Sequence, residues 1–381
     1  MARYLGAVVD TDIHHVPTSD REFLDYFPER TRAYAAAAVE SGVPFKAARV
    51  SVAAPLYNGG NPFRLATAVP ESGPAGSSYE LVRDQLLDRY DIYRGLLTHD
   101  VGEFGIHLNP YFAADLCQAA NDWTIERWLN RDDRLYAGIV VSPTLPDEAV
   151  REIYRLAHHP RMAFVEFSGT PLGFPAGHPL YHPIYRAATD VGLPIALHVS
   201  GSDAPALQAP TGRVSTALEM GSMLGLVGSH YVTSFVSHGV FEKYPTLRVL
   251  LIEFALSWLT PLLWNLERDI ELLRLESPWV KRRPTEYVHD HLRFSTQPLE
   301  AGRPEDSRRL VELLDAVDGI EDLLCFSSDY PHWTMDDLAF VERTLPSSWH
   351  SKVFCDNACG LLGWRTPTVV SHRNKLARST S

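Results

Sequence analysis

The sequence predicts a single (β/α)8 barrel, because short apolar runs alternate with amphipathic stretches of helical length through most of the chain. Eight such runs occur, and eight strands joined by right-handed helical crossovers close into a barrel. An open doubly wound sheet is the alternative, but it would carry a glycine-rich turn after its first strand, and DTDIHHVP is not one. The predicted strands are 6–13, 94–98, 136–142, 162–168, 193–199, 247–253, 292–296 and 323–328.

Amphipathic segments separate these strands and predict the outer ring of helices. The stretch 15–90 is too long for one crossover and is rich in Pro, Gly and Ala, so we expect an inserted, partly helical cap over the barrel mouth. The barrel domain then covers residues 1–364, and residues 365–381 form a polar, basic tail. The predicted helices are 78–90, 111–130, 146–158, 180–191, 213–243, 255–274 and 304–317.

Composition and charge exclude several classes of protein. The chain has 381 residues, 45% of them hydrophobic, and a formal net charge of -12. It contains no basic run that would bind nucleic acid and no apolar run of about 18 residues that would cross a membrane. The first residues, MARYLGAVVD, lack the long apolar stretch of a signal peptide. Only Cys355 and Cys359 among the four cysteines are close in sequence, and we expect a protein of the reducing cytoplasm. The expected partner is a small-molecule substrate.

Polar residues stand at the C-terminal ends of the predicted strands, where barrel enzymes keep their catalytic groups. Asp12 and His14 end the first strand two residues apart, so they share a face. His198 ends the fifth strand, and Asp329 follows the eighth. Taken singly, Asp12 and His14 are also consistent with a pair in a loop, and His198 with a hydrogen-bonded histidine. Asp329 alone is also consistent with a helix N-cap. Together, two imidazoles and two carboxylates predict a mononuclear site for a divalent metal.

Three further residues are candidates at the same mouth. Glu253 ends the sixth strand and is expected to act as a general acid or base, or to bind a second metal; a barrel-mouth ion pair is the alternative. His332 follows Asp329 in a turn, where it can orient that carboxylate or contact substrate. Glu166 could bridge two metals, although a buried ion pair is the favoured interpretation. We therefore expect Asp329, Glu253 and His332 to be the catalytic residues.

The stretches VDTDIHHVP, GVFEKYPTLRVLLIEFALSWL, HDHLRFSTQPLE and FSSDYPHW resemble the amidohydrolase-related group of the amidohydrolase superfamily, and the likeness covers nearly the whole chain. The resemblance implies a metal-dependent hydrolase, decarboxylase or hydratase of small carboxylates and aromatic acids. It also implies His198 as third ligand and Asp329 as ligand or proton-transfer base. The Asp12-x-His14 motif is similar to the Glu-x-His of the gamma-resorcylate decarboxylase type. Glu253 stands where the group carries a catalytic histidine, which is a departure.

The combination of VDTDIHH, STQPLE and SSDYPHW looks closest to a subgroup that includes the subunits of 2-aminoisobutyrate hydroxylase. The leading hypothesis is hydrolysis or decarboxylation of a small carboxylate or amide-like substrate. The second is an oxygenase subunit that holds a metal pair and hydroxylates a small amino acid. The third is an idle subunit that binds one structural metal and stabilises an active paralogue. We expect zinc, with manganese or iron as alternatives, and a homo-oligomer or a hetero-oligomer with that paralogue.

Overall fold

The computed structural model describes residues 4–43, 45, 65–99, 109–168, 173–199, 217–300, 303–332 and 334–367. Within them, eight strands form one sheet in chain order, and each strand pairs in parallel with the next. The strands are β1 (Val8–His15), β2 (Ile92–His99), β3 (Leu135–Val140), β4 (Met162–Ser168), β5 (Ile195–His198), β6 (Val249–Ile252), β7 (Leu292–Ser295) and β8 (Leu324–Cys325).

The sheet closes between its last and first strands. The Thr11 N–H donates to the Phe326 carbonyl at 2.9 Å, and the His14 N–H donates to the Tyr330 carbonyl at 2.7 Å. A parallel bridge also pairs Ile13 with Tyr330. These bonds continue the parallel ladder around the cylinder, so the predicted (β/α)8 barrel is confirmed.

Helices follow most strands, as the alternating pattern predicts, but the helices differ from the predicted set in two ways. The predicted helix 213–243 is divided, because Gly239 adopts a left-handed conformation with φ 64°. The segments 284–291, 338–344 and 357–362 are helical although they are not among the predicted helices. The helices are α1 (Glu29–Glu40), α2 (Tyr79–Val82), α3 (Pro110–Arg127), α4 (Pro146–Leu156), α5 (His182–Val191), α6 (Ala217–Ser237), α7 (Val240–Lys243), α8 (Leu259–Leu273), α9 (Pro284–His291), α10 (Pro304–Leu314), α11 (Leu338–Thr344) and α12 (Asn357–Leu362).

Alternate residues of the strands enter two separate apolar clusters. On β5, Ile195 and Leu197 pack in the large cluster that joins the sheet to its helices. Ala196 between them belongs to a smaller cluster, together with Leu250 of β6 and Leu361 of α12. This alternation is the two-residue period of a strand. The smaller cluster thus fills the lumen on the side that α12 contacts, and the C-terminal ends of the strands are left for polar residues.

The described part of the segment between β1 and β2 contacts the C-terminal ends of the strands. The Leu65 N–H donates to the Pro331 carbonyl at 2.9 Å, and the Val16 N–H donates to the Gly76 carbonyl at 3.1 Å. A Cβ on Gly76 would lie 3.2 Å from the His14 carbonyl oxygen. Residues 44 and 46–64 of the predicted cap, and 368–381 of the predicted tail, lie outside the described residues. The cap and the tail stay predictions.

Among the described helices, none combines the length and the apolarity that a membrane span requires.

Candidate metal centre

Strand β1 carries the first two predicted ligands into the barrel mouth, where both are buried. His14 Nε2 lies 3.4 Å from Asp12 Oδ1, while Ile13 between them packs in the outer apolar cluster. The Thr98 hydroxyl of β2 donates a hydrogen bond to Asp12 Oδ1. The second carboxylate oxygen of Asp12 has no hydrogen-bond partner among the described residues. A buried oxygen without a partner is costly, so this atom calls for a cation or a donor.

His198 at the end of β5 presents its Nε2 atom to two carboxylates. Its Nδ1–H donates to the Val199 carbonyl, which can only accept, so the ring is fixed with Nε2 directed elsewhere. That Nε2 atom lies 3.6 Å from both Asp12 Oδ1 and Glu253 Oε2, which is too long for a hydrogen bond. Burial lowers the pKa of His198, but the interactions with Asp12 and the Glu253 charge together outweigh it and raise the pKa to about 9. A positive charge is therefore favoured at this position.

Glu253 is held at the end of β6 by an unusual backbone conformation. Its φ is 66°, and the φ of Ala255 is 58°, a left-handed region that non-glycine residues seldom adopt. The Glu253 N–H donates to Ser295 Oγ at 2.9 Å, and the Ser257 N–H donates to Glu300 Oε2 at 2.6 Å. Burial and the nearby Asp329 charge raise the pKa of Glu253 to about 8. The turn thus aims a carboxyl group at His198, and these two side chains, 3.6 Å apart, form the barrel-mouth ion pair of the predicted alternative when His198 is protonated.

Asp329 follows β8 and is contacted by four side chains. Oδ1 lies 3.0 Å from His14 Nε2 and also accepts from His332 Nδ1. Oδ2 accepts from Gln297 Nε2 at 2.8 Å and from Thr334 Oγ1 at 3.3 Å. Burial opposes ionisation of this carboxyl, but the charges of His332 and His14 outweigh it and hold the pKa of Asp329 well below its usual range. Asp329 is consequently an anchored carboxylate.

The helix N-cap interpretation of Asp329 is wrong. The nearest following helix, α11, is capped by Asp337, whose side chain accepts from the Phe340 N–H.

The predicted residues form two overlapping groups of potential ligand atoms. In each group the atoms lie within 4.8 Å of one another. Asp329 is therefore close to His14 but falls outside the group that contains Asp12 and His198. The first group is Asp12, His14, His198 and Glu253; the second is His14, Glu253, Asp329 and His332.

These donors fit a divalent cation. Carboxylate oxygen and imidazole nitrogen are its ordinary ligands in proteins. Asp12 Oδ2 and His198 Nε2 are buried and have no hydrogen-bond partner among the described residues. A cation between them would satisfy both atoms at once.

Glu166 on β4 is buried inside the barrel. Its Oε1 accepts from the His99 N–H at 3.0 Å, while its Oε2 has no hydrogen-bond partner among the described residues. Burial raises the pKa of Glu166 to about 7. No described lysine or arginine pairs with it, so the buried ion pair favoured from the sequence is not formed among the described residues and stays a prediction.

Gln297 is a functional candidate that the sequence reasoning missed. It follows β7 in the STQPLE stretch, is fully buried, and donates to Asp329 through its amide nitrogen. The amide of Gln297 also donates to the Thr334 carbonyl at 3.3 Å. The only signal in the sequence was its position at a strand end, which does not reveal which carboxylate it reaches.

Comparison with known proteins places this geometry in a wider context. The family model described as amidohydrolase matches residues 9–364. A search of curated proteins found no significant match.

Several solved structures share the fold at low sequence identity. The 5-carboxyvanillate decarboxylase of Novosphingobium aromaticivorans, solved with manganese and 4-hydroxy-3-methoxy-5-nitrobenzoic acid, is 18% identical with a TM-score of 0.66, covering 95% of this chain and 99% of that one. A dihydroxybenzoic acid decarboxylase of Polaromonas, with manganese and 2-nitroresorcinol, is 15% identical with a TM-score of 0.62, covering 94% and 97%. An amidohydrolase of Mycobacterium avium subsp. paratuberculosis is 17% identical with a TM-score of 0.66, covering 95% and 100%.

Proposed function

The chain belongs to the amidohydrolase family, and on that basis we propose that it is a manganese-dependent decarboxylase of a small aromatic carboxylate. The family match confirms the predicted class, a metal-dependent enzyme of the amidohydrolase superfamily. The observation that carries the proposal is the convergence of carboxylates and imidazoles at the barrel mouth, with Asp12 Oδ2 and His198 Nε2 buried and without hydrogen-bond partners among the described residues. The decarboxylases of the same fold support the reaction type.

Manganese replaces zinc as the proposed cation. Three of the candidate donors are carboxylates, namely Asp12, Glu253 and Asp329. Oxygen donors suit manganese, whereas zinc sites favour nitrogen and sulfur. Manganese is also the metal in two decarboxylases of this fold. Elemental analysis of protein purified without added metal tests this choice, and stoichiometric zinc that supports full activity would contradict it.

The Asp329–His332 pair is the proposed proton-handling unit. Decarboxylation of an aromatic acid replaces the carboxyl group by hydrogen, so a proton must reach the ring carbon. The imidazole of His332 holds one proton on Nδ1 against Asp329 and can exchange another through Nε2. Its side chain is 19% exposed, whereas Asp329 is buried, so His332 is the partner that can meet substrate or water. Gln297 fixes the carboxylate by a bond to its other oxygen.

A divalent cation bound to Asp12, His14 and His198, with Glu253 or Asp329 completing the set, would polarise a substrate oxygen. The remaining work is done by the chain. The left-handed turn after β6 keeps the Glu253 carboxyl beside His198, and Thr98 orients Asp12.

The test is a decarboxylation assay on manganese-loaded protein with a panel of hydroxy-substituted benzoates, followed by chromatography of the phenolic product. We expect turnover with at least one member of the panel. Asp329→Asn should abolish it while the circular dichroism spectrum stays unchanged. Asp84→Asn, which alters an exposed aspartate on the π-helical turn after α2, is the matched control and should retain activity. Full activity in Asp329→Asn would reject the role of that residue.

A second candidate is the oxygenase predicted from the hydroxylase subgroup. Its support is the overlap of the two ligand groups, which share His14 and Glu253 and could hold two metals. The decarboxylases of the same fold lend this subgroup no support. Iron together with a second metal in the elemental analysis, and oxygen consumption with a small amino acid, would select this candidate over the decarboxylase.

We also propose that the protein works in the cytoplasm. All four cysteines are free and buried, and Cys355 Sγ lies 3.7 Å from Cys359 Sγ without a disulfide. Reduced thiols are typical of reducing compartments. Fractionation of the native cells should find the protein with cytoplasmic markers; recovery from an oxidising compartment would contradict this.

A further inference from the structure

Two cysteines lie side by side at the α12 end of the lumen, away from the barrel mouth. The π-helical turn Lys352–Asp356 carries Cys355, and α12 carries Cys359. Both thiols are free and buried, and Cys355 Sγ lies 3.7 Å from Cys359 Sγ. Both belong to the smaller apolar cluster, which takes no part in the candidate metal centre. The pair is therefore a group of nucleophilic atoms that the proposed reaction does not use.

The fold holds these two cysteines at a spacing that a disulfide can span. Four residues along an α-helix separate Cα atoms by about 6 Å, and disulfides join Cα atoms that are about 4.4–6.8 Å apart. The turn that carries Cys355 is anchored to the β8 region, because the Phe326 N–H donates to the Val353 carbonyl at 2.8 Å. The start of α12 is anchored as well, since Asn357 Nδ2 donates to the Leu324 carbonyl at 2.7 Å. The two thiols are thus neighbours by construction in the reduced protein.

Arg94 of β2 brings a positive charge to this pair. Its guanidinium carbon lies 4.3 Å from the ring centroid of Trp364 and 5.0 Å from that of Tyr136. The hydrogen bond from the Cys355 thiol, together with the Arg94 charge, outweighs burial and lowers the pKa of Cys359. The same hydrogen bond, with burial, raises the pKa of Cys355. Cys359 is therefore the thiol of the pair that ionises, and the thiolate is the nucleophilic form of cysteine.

Solvent reaches the backbone beside Cys359. Gly360, the next residue, is exposed, and a Cβ built on it would meet no atom within 4 Å. Gly363, which ends α12, is exposed in the same way. Helix ends open locally at little cost in free energy. A local opening of the last turn of α12 is therefore enough to admit a molecule as small as hydrogen peroxide to the buried thiols.

We propose that Cys355 and Cys359 form a redox-active dithiol that hydrogen peroxide converts to a disulfide. The Cys359 thiolate attacks one peroxide oxygen, the O–O bond breaks, and a sulfenic acid and a hydroxide ion result. The Cys355 thiol then attacks the Cys359 sulfur, the S–S bond forms, and a second hydroxide ion leaves. The two thiol protons convert these ions to water, so one peroxide is reduced to two waters while two thiols are oxidised. A dithiol reductant reverses the step by exchange.

The test counts free thiols in the full chain before and after treatment with hydrogen peroxide. The protein is quenched with acid, denatured, alkylated with N-ethylmaleimide and weighed by mass spectrometry. All four cysteines should react in the reduced chain, and two should react after peroxide. Peptide mapping without reductant should find Cys355 joined to Cys359, and dithiothreitol should restore all four thiols. This outcome does not depend on the proposed decarboxylase activity.

Cys359→Ala removes the attacking thiol, and Cys117→Ala is the matched control, because Cys117 is a buried thiol of α3 outside the cluster. Each variant retains three thiols. After peroxide, three should still react in Cys359→Ala, and one should react in Cys117→Ala. The wild-type measurement decides the matter even if a variant fails to fold. A wild-type chain that keeps four reactive thiols, a disulfide that involves Cys325, or a loss that dithiothreitol does not reverse would overturn the inference.

Discussion

A divalent cation should stabilise the folded protein by an amount that can be worked out in advance. Protein stripped of metal leaves Asp12 Oδ2 and His198 Nε2 without hydrogen-bond partners among the described residues, and only the folded chain brings these atoms together. A ligand that binds only the folded state, at a free concentration of one hundred times its dissociation constant, adds about 2.7 kcal/mol to the free energy of unfolding. With 381 residues and an unfolding entropy of about 2.1 cal/mol/K per residue, that energy raises the Tm by about 3 °C.

Asp12→Asn isolates the contribution of the site. If the substitution weakens manganese binding by about a hundredfold, the same free manganese concentration equals the dissociation constant of the variant. The stabilisation by manganese then falls to about 0.4 kcal/mol, which raises the Tm by about half a degree. Asp84→Asn, whose side chain is 58% exposed, should keep the full wild-type shift. The assay is differential scanning calorimetry of chelator-treated protein with increasing manganese. No shift in the wild type with manganese, zinc or iron(II), or an equal shift in Asp12→Asn, would refute the reasoning.

Three further outcomes test individual side chains. Burial raises the pKa of Glu166 to about 7 from an ordinary value near 4.5, so the folded state binds its proton more tightly and loses stability as the pH rises from about 4.5 to 7. In urea titrations, Glu166→Gln should therefore have a higher free energy of unfolding than the wild type at pH 8, by at most about 3 kcal/mol, and the same free energy near pH 4. A variant that is equally destabilised at both pH values would contradict this. Gln297→Leu removes the donor to Asp329 and should lower turnover or manganese affinity by about 10–100-fold. Steady-state kinetics and metal titration measure the two effects. Wild-type values in both would argue against a role of Gln297 in holding Asp329. Glu300→Ala removes the acceptor for the Ser257 N–H and should lower the free energy of unfolding by about 1–3 kcal/mol in urea titrations; an unchanged midpoint would show that the turn after β6 does not need it.

Most of the barrel could be predicted because its strands are short apolar runs, and burial on both faces requires that pattern. The predicted strand 323–328 is longer than β8, which is Leu324–Cys325. The reason is tertiary: beyond Cys325 the chain bonds to β1 and to the segment around Val353, rather than to a regular ladder with β7. The division of the predicted helix at 213–243 depends on one glycine conformation, which an apolar pattern does not encode.

The candidate site was predictable as a list of strand ends and not as a set of contacts. Asp12 and His14 follow from the two-residue period of β1. That Asp329 is bound by Gln297, and that Glu166 has no described lysine or arginine partner, depends on which side chains meet across the lumen. Gln297 and Asp329 are 32 positions apart in sequence and His99 and Glu166 are 67 apart, and no local pattern carries that information.

The backbone at two strand ends connects the fold to the proposed chemistry. Glu253 and Asp329 have φ values of 66° and 59°, a conformation that glycine adopts freely but that costs a larger residue of order 1–3 kcal/mol. Both positions carry a carboxylate, and both carboxylates enter the same ligand group. Fold stability alone would favour glycine at each position. The chain instead holds a buried acid, Asp329, and a partly buried one, Glu253, in the same ligand group on strained backbone. The strain is therefore located where a bound cation would offset the repulsion between the two carboxylates.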